Sequence, residues 1–240
     1  MSMIKQMALQ IPGMKAIQRR RWKREADRRL QSQTPEEVFS EIYQNNAWSG
    51  QESRSGTGSD STQTQTIANA IPDLLRRFNL SSMLDVPCGD FRWMKDVNLE
   101  GIQYIGADIV PEIVLRNEQQ FGNDWQRFQQ LDLIRDTIPT VDLIFCRDCL
   151  VHLSHQAVQE SLRNICDSGS KFLLTTTFPN RTVNEDILTG QWRVLNLEMD
   201  PFNFPSPIEL LNEQCTEGDG EYHDKSLGLW RISDLDVVLP

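Results

Sequence analysis

The stretch from residue 82 to residue 93 constrains the fold of this chain more than any other. Apolar residues lead into Asp85, and Asp85 leads into a tight turn built around Gly89. In an open α/β sheet, a buried strand passes into a ligand-binding loop in this way. A second strand-like run over residues 103–108 ends in Asp108, 23 residues after Asp85. An acid at the end of the second strand can accept hydrogen bonds from both ribose hydroxyls of an adenosine-containing cofactor.

The chain after residue 80 alternates between strand-like and helix-like patterns. Strands are predicted at residues 82–87, 103–108, 127–131, 141–147 and 170–178, with helices at 110–119 and 154–166. In the less regular tail, Arg193–Leu197 and Ser226–Arg231 are the clearest strand candidates. This alternation predicts an α/β fold with a doubly wound, seven-stranded, mostly parallel sheet.

The N-terminal part is predicted to be helical around one polar loop. Residues 1–33 are expected to form a basic helical arm, and residues 34–240 the main domain. Thr34 is placed as the N-cap of a helix. A polar, glycine-bearing loop follows over residues 49–64. Residues 34–64 are therefore predicted to act as a lid, and a mobile linker is the alternative for the loop at residues 48–59.

Charge is unevenly distributed along the chain. Residues 1–29 carry nine basic and two acidic side chains, a net of +7 in a chain of −10, which leaves −17 for residues 30–240. The acidic body disfavours general binding of nucleic acid phosphates. The basic arm has several possible partners: RNA, an anionic membrane surface, the acidic body, or only solvent.

Composition predicts a cytoplasmic globular protein. The chain has no run of 18 or more apolar residues, so no membrane span is expected. Its first 15 residues lack the pattern of a secretory signal. Five cysteines, an odd number, fit reduced thiols in a cytosol.

The glycine pattern of the loop narrows the kind of cofactor. A dinucleotide site would have Gly-x-Gly-x-x-Gly, whereas here Gly89 stands alone, with Pro87 and Phe91 where other glycines would be. The missing glycines argue against a pyrophosphate, and therefore against a nicotinamide-dependent reductase. A cofactor with an amino-acid tail needs less of the backbone. A tight strand-to-helix turn without a ligand is the alternative.

These residues together resemble the class I S-adenosylmethionine-dependent methyltransferases over residues 36–231. The likeness lies in the first motif at 85–91, in Asp108, in Leu131-Asp132-Leu133 and in residues 142–154. The sequence Pro-Cys-Gly-Asp-Phe at 87–91, with Trp48 and residues 55–59 and 147–152, resembles a bacterial subgroup of that family. The resemblance implies a Rossmann-like methyltransferase fold and S-adenosylmethionine as cofactor.

The predicted cofactor-binding residues come from the first motif at residues 85–91, here termed the motif loop, from the strand ends and from the lid. They are Trp48, Arg54, Ser55, Asp85, Pro87, Cys88, Gly89, Asp108, Ile109, Asp132 and Arg147. Asp85 is expected to orient loop amides or to bind the cofactor's ammonium group, with capping of the turn as the alternative. Arg54 is expected to pair with the cofactor carboxylate, and Trp48 to pack on adenine or the sulfonium. Core packing is the alternative for Trp48.

His152 and Asp148 are the predicted catalytic residues. A hydroxyl acceptor benefits from proton removal as it attacks, and either side chain can act as a general base. A structural role at the start of a helix is the alternative for His152. Cys146-x-x-Cys149 lacks a second ligand pair at suitable spacing, so no metal site is predicted.

The sequence therefore predicts methyl transfer to an oxygen or nitrogen of a small molecule or glycan. The alternatives are a catalytically silent cofactor-binding partner subunit and an RNA methyltransferase that uses the basic arm. The lid and the tail are expected to form the acceptor pocket. Asn180, Arg181, Asn184 and Trp192 are candidates for its lining.

Overall fold

The computed structural model describes residues 24–235 of the chain. It separates into two units, Met1–Thr34 and Pro35–Pro240. In the first unit, residues 24–32 are helical. The remainder of the predicted basic arm, residues 1–23, lies outside the described residues.

The second unit contains the predicted seven-stranded sheet. Its strands are β1 (Ser82–Asp85), β2 (Gln103–Asp108), β3 (Gln126–Gln130), β4 (Leu143–Cys146), β5 (Phe172–Thr177), β6 (Glu209–Asn212) and β7 (Ser226–Arg231). Their order is β3-β2-β1-β4-β5-β7-β6. The first five strands are mutually parallel, and β7 runs antiparallel to both β5 and β6. The prediction of a doubly wound, mostly parallel sheet is confirmed.

Between residues 35 and 235 this unit has four α-helices: α1 (Pro35–Gln44), α2 (Ser61–Arg77), α3 (Pro111–Phe121) and α4 (His155–Asp167). Successive side chains of a strand point to opposite faces of the sheet, so each central strand contributes side chains to two apolar cores. Met83 of β1 packs in the core that contains the apolar side chains of α2. Leu84 packs in the opposite core, which contains those of α4. Both faces are thus covered, which explains why all residues of β4 are buried.

The tail departs from the prediction in one place. Ser226–Arg231 is a strand as expected, but Arg193–Leu197 is not, and Glu209–Asn212 supplies the remaining strand instead. Residues 193–197 run past the end of β5 with isolated hydrogen bonds, such as Phe178 N to Leu195 O (2.9 Å). Arg193 and Asn196 are buried and bond to backbone carbonyls, so this segment joins loops and forms no ladder.

None of the helices in the described part of the chain is both long and apolar enough to span a lipid bilayer.

Candidate functional site

One cleft opens at the carboxyl ends of β1 to β4. Its volume is about 1110 Å³, including the part open to solvent. Strand order reverses between β1 and β4, because β2 and β3 lie on one side of β1 and β4 and β5 on the other. Loops at such a switch point diverge to opposite faces and leave a crevice between them, where ligands of open α/β sheets bind. The sheet topology therefore creates this cleft.

All thirteen predicted site residues lie on the wall of this cleft. They are Trp48, Arg54, Ser55, Asp85, Pro87, Cys88, Gly89, Asp108, Ile109, Asp132, Arg147, Asp148 and His152. The structure thus brings together residues that are up to 104 positions apart in the sequence. Their individual roles stay predictions.

Asp108 joins β2 to the motif loop. It is 4% exposed, and its two carboxylate oxygens accept from Gly89 N (3.1 Å) and Val110 N (3.0 Å). Burial raises the pKa of Asp108 to about 6, although these backbone N–H groups oppose the shift. A carboxylate offers about four acceptor sites, so lone pairs remain for a ligand's hydroxyl groups.

Asp85 has a partner that the sequence pattern did not indicate. Tyr104 Oη donates to its Oδ2 at 2.6 Å, and Asp85 caps no backbone amide among the described residues. In the β1–β2 register, Met83 is the neighbour of Tyr104. Asp85 lies two residues beyond Met83 on the same face of β1, so the Tyr104 side chain can reach it. Burial raises the pKa of Asp85 to about 7, against the lowering effect of the Tyr104 hydrogen bond. The expected orientation of loop amides by Asp85 is therefore wrong.

Phe91 shows how the motif loop turns without further glycines. Its φ is 57°, in the left-handed region that costs a non-glycine residue about 1 kcal/mol. The ring is 2% exposed and contacts the rings of Tyr104, Phe121 and Phe128, with centroids 5.1–5.3 Å away. Burial of an aromatic side chain offsets a cost of that size. Phe91 thus replaces a glycine by anchoring the turn in the core.

Gly89 is required by close approach as well as by its φ of 53°. A Cβ at this position would lie 2.4 Å from Ser55 Oγ. Neighbouring atoms of the motif loop are held by α3, since Asn117 Nδ2 donates to Gly89 O at 2.8 Å and contacts Cys88 Sγ at 3.7 Å. On the other side, Cys88 N donates to Ala107 O at 2.7 Å. The loop is therefore fixed from the helix and from β2.

Residues 48–60, here termed the lid loop, lie against the motif loop through Asp90. Its carboxylate accepts from Ser53 Oγ (2.9 Å) and Arg54 N (3.1 Å), while Asp90 N donates to Ser55 Oγ (3.1 Å). At the far side, Gly58 O accepts from Arg147 Nη2 at 2.9 Å. The lid loop is thus fastened at both sides of the cleft.

Aromatic side chains form another part of the cleft wall. Trp48 stacks on His152 with ring centroids 4.7 Å apart and an angle of 28° between the planes. Phe39 and Tyr43 of α1 extend the wall, and the exposed Arg54 places its guanidinium 5.7 Å from the Tyr43 ring. Phe39 and Tyr43 were not predicted as site residues. Their separation of four residues does place them on one apolar face of α1.

Asp132 opens a turn after β3. Its Oδ1 accepts from Ile134 N at 2.9 Å, while its backbone carbonyl accepts from the amides of Arg135 and Asp136. The side chain also lines the cleft, and burial raises its pKa. Asp132 therefore has a structural role whether or not a ligand contacts it.

Arg147 belongs to a buried network of two cations and two anions. Its guanidinium donates to Glu213 Oε2 from Nη2 (2.7 Å) and Nε (3.2 Å), and Nη1 lies 3.4 Å from Asp148 Oδ2. Lys225 Nζ lies 2.6 Å from Asp148 Oδ2 and 3.7 Å from Glu213 Oε2. Burial acts to lower the pKa of Arg147, but the Glu213 and Asp148 charges raise it above its ordinary value. Glu213 and Lys225, both from the tail, were not predicted.

Asp148 is a poor candidate for the general base. Burial acts to raise its pKa, but the Lys225 and Arg147 charges prevail and lower it to about 2. A carboxylate held in this way binds a proton weakly near neutral pH. Asp148 lies just after β4 with a φ of 52°. Its carboxylate therefore balances the positive charges of Arg147 and Lys225.

His152 has the geometry of a neutral proton acceptor. It ends a 3-10 turn over Leu150–His152, and its Nδ1 lies 3.0 Å from Gln191 O. A carbonyl only accepts, so Nδ1 carries the hydrogen and Nε2 the free lone pair. Burial lowers the pKa of His152 to about 4, so the ring is neutral at pH 7 and is a weak base that still binds a proton more tightly than Asp148 does.

The four tail residues that were expected to line an acceptor pocket are not part of the wall of this cleft. Asn180, Arg181, Asn184 and Trp192 do not line the cleft. Arg181 and Asn184 bond within the tail, for example Arg181 Nη2 to Glu221 O at 2.6 Å. Within residues 24–235, no cluster of three or more His, Cys, Asp or Glu side chains is arranged to hold a metal ion.

Comparison with known proteins gives a structural likeness only. No protein-family model and no curated protein matches the chain. Among solved structures, human N-acetylserotonin methyltransferase in complex with SAM aligns at 17% identity, with a TM-score of 0.54, over 83% of this chain and 60% of that one. N-methyltransferase NodS from Bradyrhizobium japonicum, in complex with S-adenosylhomocysteine, aligns at 14% identity and a TM-score of 0.47, over 57% and 73% of the respective chains. The likeness to the human enzyme shows a shared fold, and the chain spans 60% of that protein's length.

Proposed function

We propose that this protein transfers a methyl group from S-adenosylmethionine to an oxygen or nitrogen atom of a small molecule or glycan. The observation that carries the proposal is Asp108, a buried carboxylate at the end of β2 that keeps acceptor capacity inside the cleft. Its partner Gly89 fits a cofactor that needs no glycine-rich pyrophosphate loop. The fold shared with a methyltransferase that was solved with SAM supports the same choice.

The residues of the cleft divide into two groups under this proposal. When bound, S-adenosylmethionine supplies a methyl group on a positively charged sulfur. Asp108 accepts hydrogen bonds from the ribose hydroxyls, and Asp85 offers an anionic oxygen to the ammonium group. Trp48 and Trp93 line the cleft, and aromatic rings of this kind attract cations such as the sulfonium. His152 Nε2 takes the proton that the acceptor releases.

The acceptor is proposed to be a neutral molecule with a ring. The cations Arg147 and Lys225 are already neutralised by Glu213 and Asp148, so they offer little to an anionic acceptor. Phe39, Tyr43 and Trp48 give the cleft an aromatic wall. The bacterial subgroup that the Pro-Cys-Gly-Asp-Phe motif resembles is associated with surface-glycan synthesis, and this resemblance favours a sugar.

Two other functions use the same cleft. A catalytically silent partner subunit would bind the cofactor without turnover, and the neutral, well-oriented His152 argues for the active enzyme. An RNA methyltransferase would use the basic arm, most of which lies outside the described residues. The acidic body, at −17 for residues 30–240, favours the small-molecule acceptor.

A calorimetric titration with S-adenosylmethionine tests the proposal. The wild-type protein should bind, and Asp108→Ala should weaken binding at least tenfold, about 1.4 kcal/mol, because two hydroxyl acceptors are lost. Asp124→Ala is the matched control, since Asp124 is an exposed acid outside the cleft. The control should bind like the wild type. Absence of binding by the wild-type protein contradicts the proposal.

A further inference from the structure

One buried arginine outside the cleft holds the turn that carries His152. Arg193 is 6% exposed and does not line the cleft. Its Nη1 donates to Leu150 O at 2.8 Å and its Nη2 to Leu153 O at 2.9 Å. These carbonyls bracket His152 on both sides along the chain. The guanidinium therefore fixes the backbone on which the imidazole stands.

The backbone around Arg193 contacts the same turn. Arg193 N donates to Val151 O at 3.1 Å, and Gly190 N donates to His152 O at 2.8 Å. Gln191 O, between them, lies 3.0 Å from His152 Nδ1. The atom that sets the hydrogen position on the imidazole thus belongs to the segment that Arg193 anchors. A shift of this segment would move Gln191 O away from Nδ1.

The chemistry of Arg193 favours such a role. Its third donor, Nε, donates to Glu185 O at 3.2 Å, so its three side-chain hydrogen bonds all go to carbonyl oxygens. Burial lowers the pKa of Arg193 to about 10, which indicates that the charge is poorly compensated. A planar fork that reaches several carbonyls at once is specific to arginine, since a lysine ammonium is a compact point charge. The planar shape of the Arg193 guanidinium therefore matters more than its charge for these three hydrogen bonds.

We infer that Arg193 is a positioning residue that holds His152 as the Nδ1–H tautomer, with Nε2 turned into the cleft as the proton acceptor. This inference deepens the proposed function and rests on it for its catalytic meaning. Arg193 touches no reacting atom and acts through His152. The charged groups near the imidazole are Asp148, Lys225 and Arg193 itself. Asp148 favours protonation of the ring, and the two cations oppose it.

Nitrogen-15 NMR of histidine-labelled protein reads this tautomer directly, without cofactor or acceptor. The chain has three histidines, so His155→Gln and His223→Gln assign the signals. At pH 7.5, wild-type His152 should show hydrogen on Nδ1 alone. Arg193→Lys keeps the charge but loses the fork, so His152 should then populate both tautomers. Arg193→Gln is the second variant if Arg193→Lys does not fold.

Arg181→Lys is the matched control, because Arg181 bonds Glu221 O and Asp224 in the tail and does not contact the turn. It should leave the His152 signals unchanged. Hydrogen on Nε2 in the wild type would overturn the inference, as would an Arg193 variant that folds and keeps the wild-type tautomer. Failure of S-adenosylmethionine to bind, with the tautomer as expected, would instead remove only the proposed function.

Discussion

Asp85 holds its carboxyl group where ionisation is unfavourable. It is 3% exposed, and burial raises its pKa to about 7, compared with about 3.9 in an unfolded chain. Between these two pH values the unfolded chain has released the proton that the folded protein still holds. The free energy of unfolding therefore falls as pH rises through this window. An ammonium group bound to Asp85 would relieve this penalty.

Asp85→Asn should consequently stabilise the protein at alkaline pH. Asparagine stays neutral, and its amide oxygen can still accept from Tyr104 Oη. We expect the variant to exceed the wild type in free energy of unfolding at pH 8, by an amount on the order of a few kcal/mol. The difference should shrink at pH 5. Urea denaturation at both pH values measures it.

Asp124→Asn provides the control for this comparison, since Asp124 is exposed. Its stability should follow the wild type at both pH values. If Asp85→Asn shows the same pH dependence as the wild type, then Asp85 is not the buried titrating group described above. Asp108, whose pKa burial raises to about 6, will leave some pH dependence in both proteins.

Among the elements, the lid loop is held against the motif loop by the side chain of Asp90. Asp90 accepts from Ser53 Oγ and from Arg54 N. Asp90→Ala should remove both hydrogen bonds, each of about 1 kcal/mol, and free this part of the loop. We expect the Arg54 amide to exchange with solvent roughly tenfold faster or more, while amides of β1 and β4 keep their protection. Hydrogen–deuterium exchange resolved by NMR measures both.

Asp60→Ala separates this effect from general loosening of the loop. Asp60 lies at the C-terminal end of the same loop, and its Oδ1 accepts from Glu52 N at 3.3 Å. This variant should free the Glu52 amide and leave Arg54 protected. Equal exchange of Arg54 in wild type and Asp90→Ala would show that Asp90 does not hold the lid loop.

The elements that the sequence predicted well are those with local signals. β1 and β2 end in acids after apolar runs, and Ser154 is the N-cap of α4, with its Oγ accepting from Ala157 N. Arg193–Leu197 alternates like a strand, but its buried polar side chains bond to loop carbonyls instead of lying beside a partner strand. The alternation of apolar and polar residues indicates which side chains are buried. It does not indicate whether the backbone pairs with a neighbouring strand.

At the scale of the whole molecule, the unpredicted part of the site comes from the tail. Glu213 and Lys225 reach Arg147 and Asp148 across 66 and 77 residues of sequence. Nothing local marks such partners, because the tail has little periodicity and the antiparallel pairing of β7 with β5 decides where these side chains fall. The cleft walls at strand ends were predictable from sequence, whereas the charge network behind them was not.

Binding of S-adenosylmethionine in the cleft at the carboxyl ends of β1 to β4 underlies every role proposed for its residues. A crystal structure of the complex with S-adenosylhomocysteine, the demethylated cofactor, tests this binding. We expect the ribose hydroxyls on the Asp108 carboxylate and the ammonium group on the side of Asp85, with the sulfur facing the part of the cleft that His152 lines. A ligand bound elsewhere, or a ribose without contact to Asp108, would show that the proposed cofactor site is wrong.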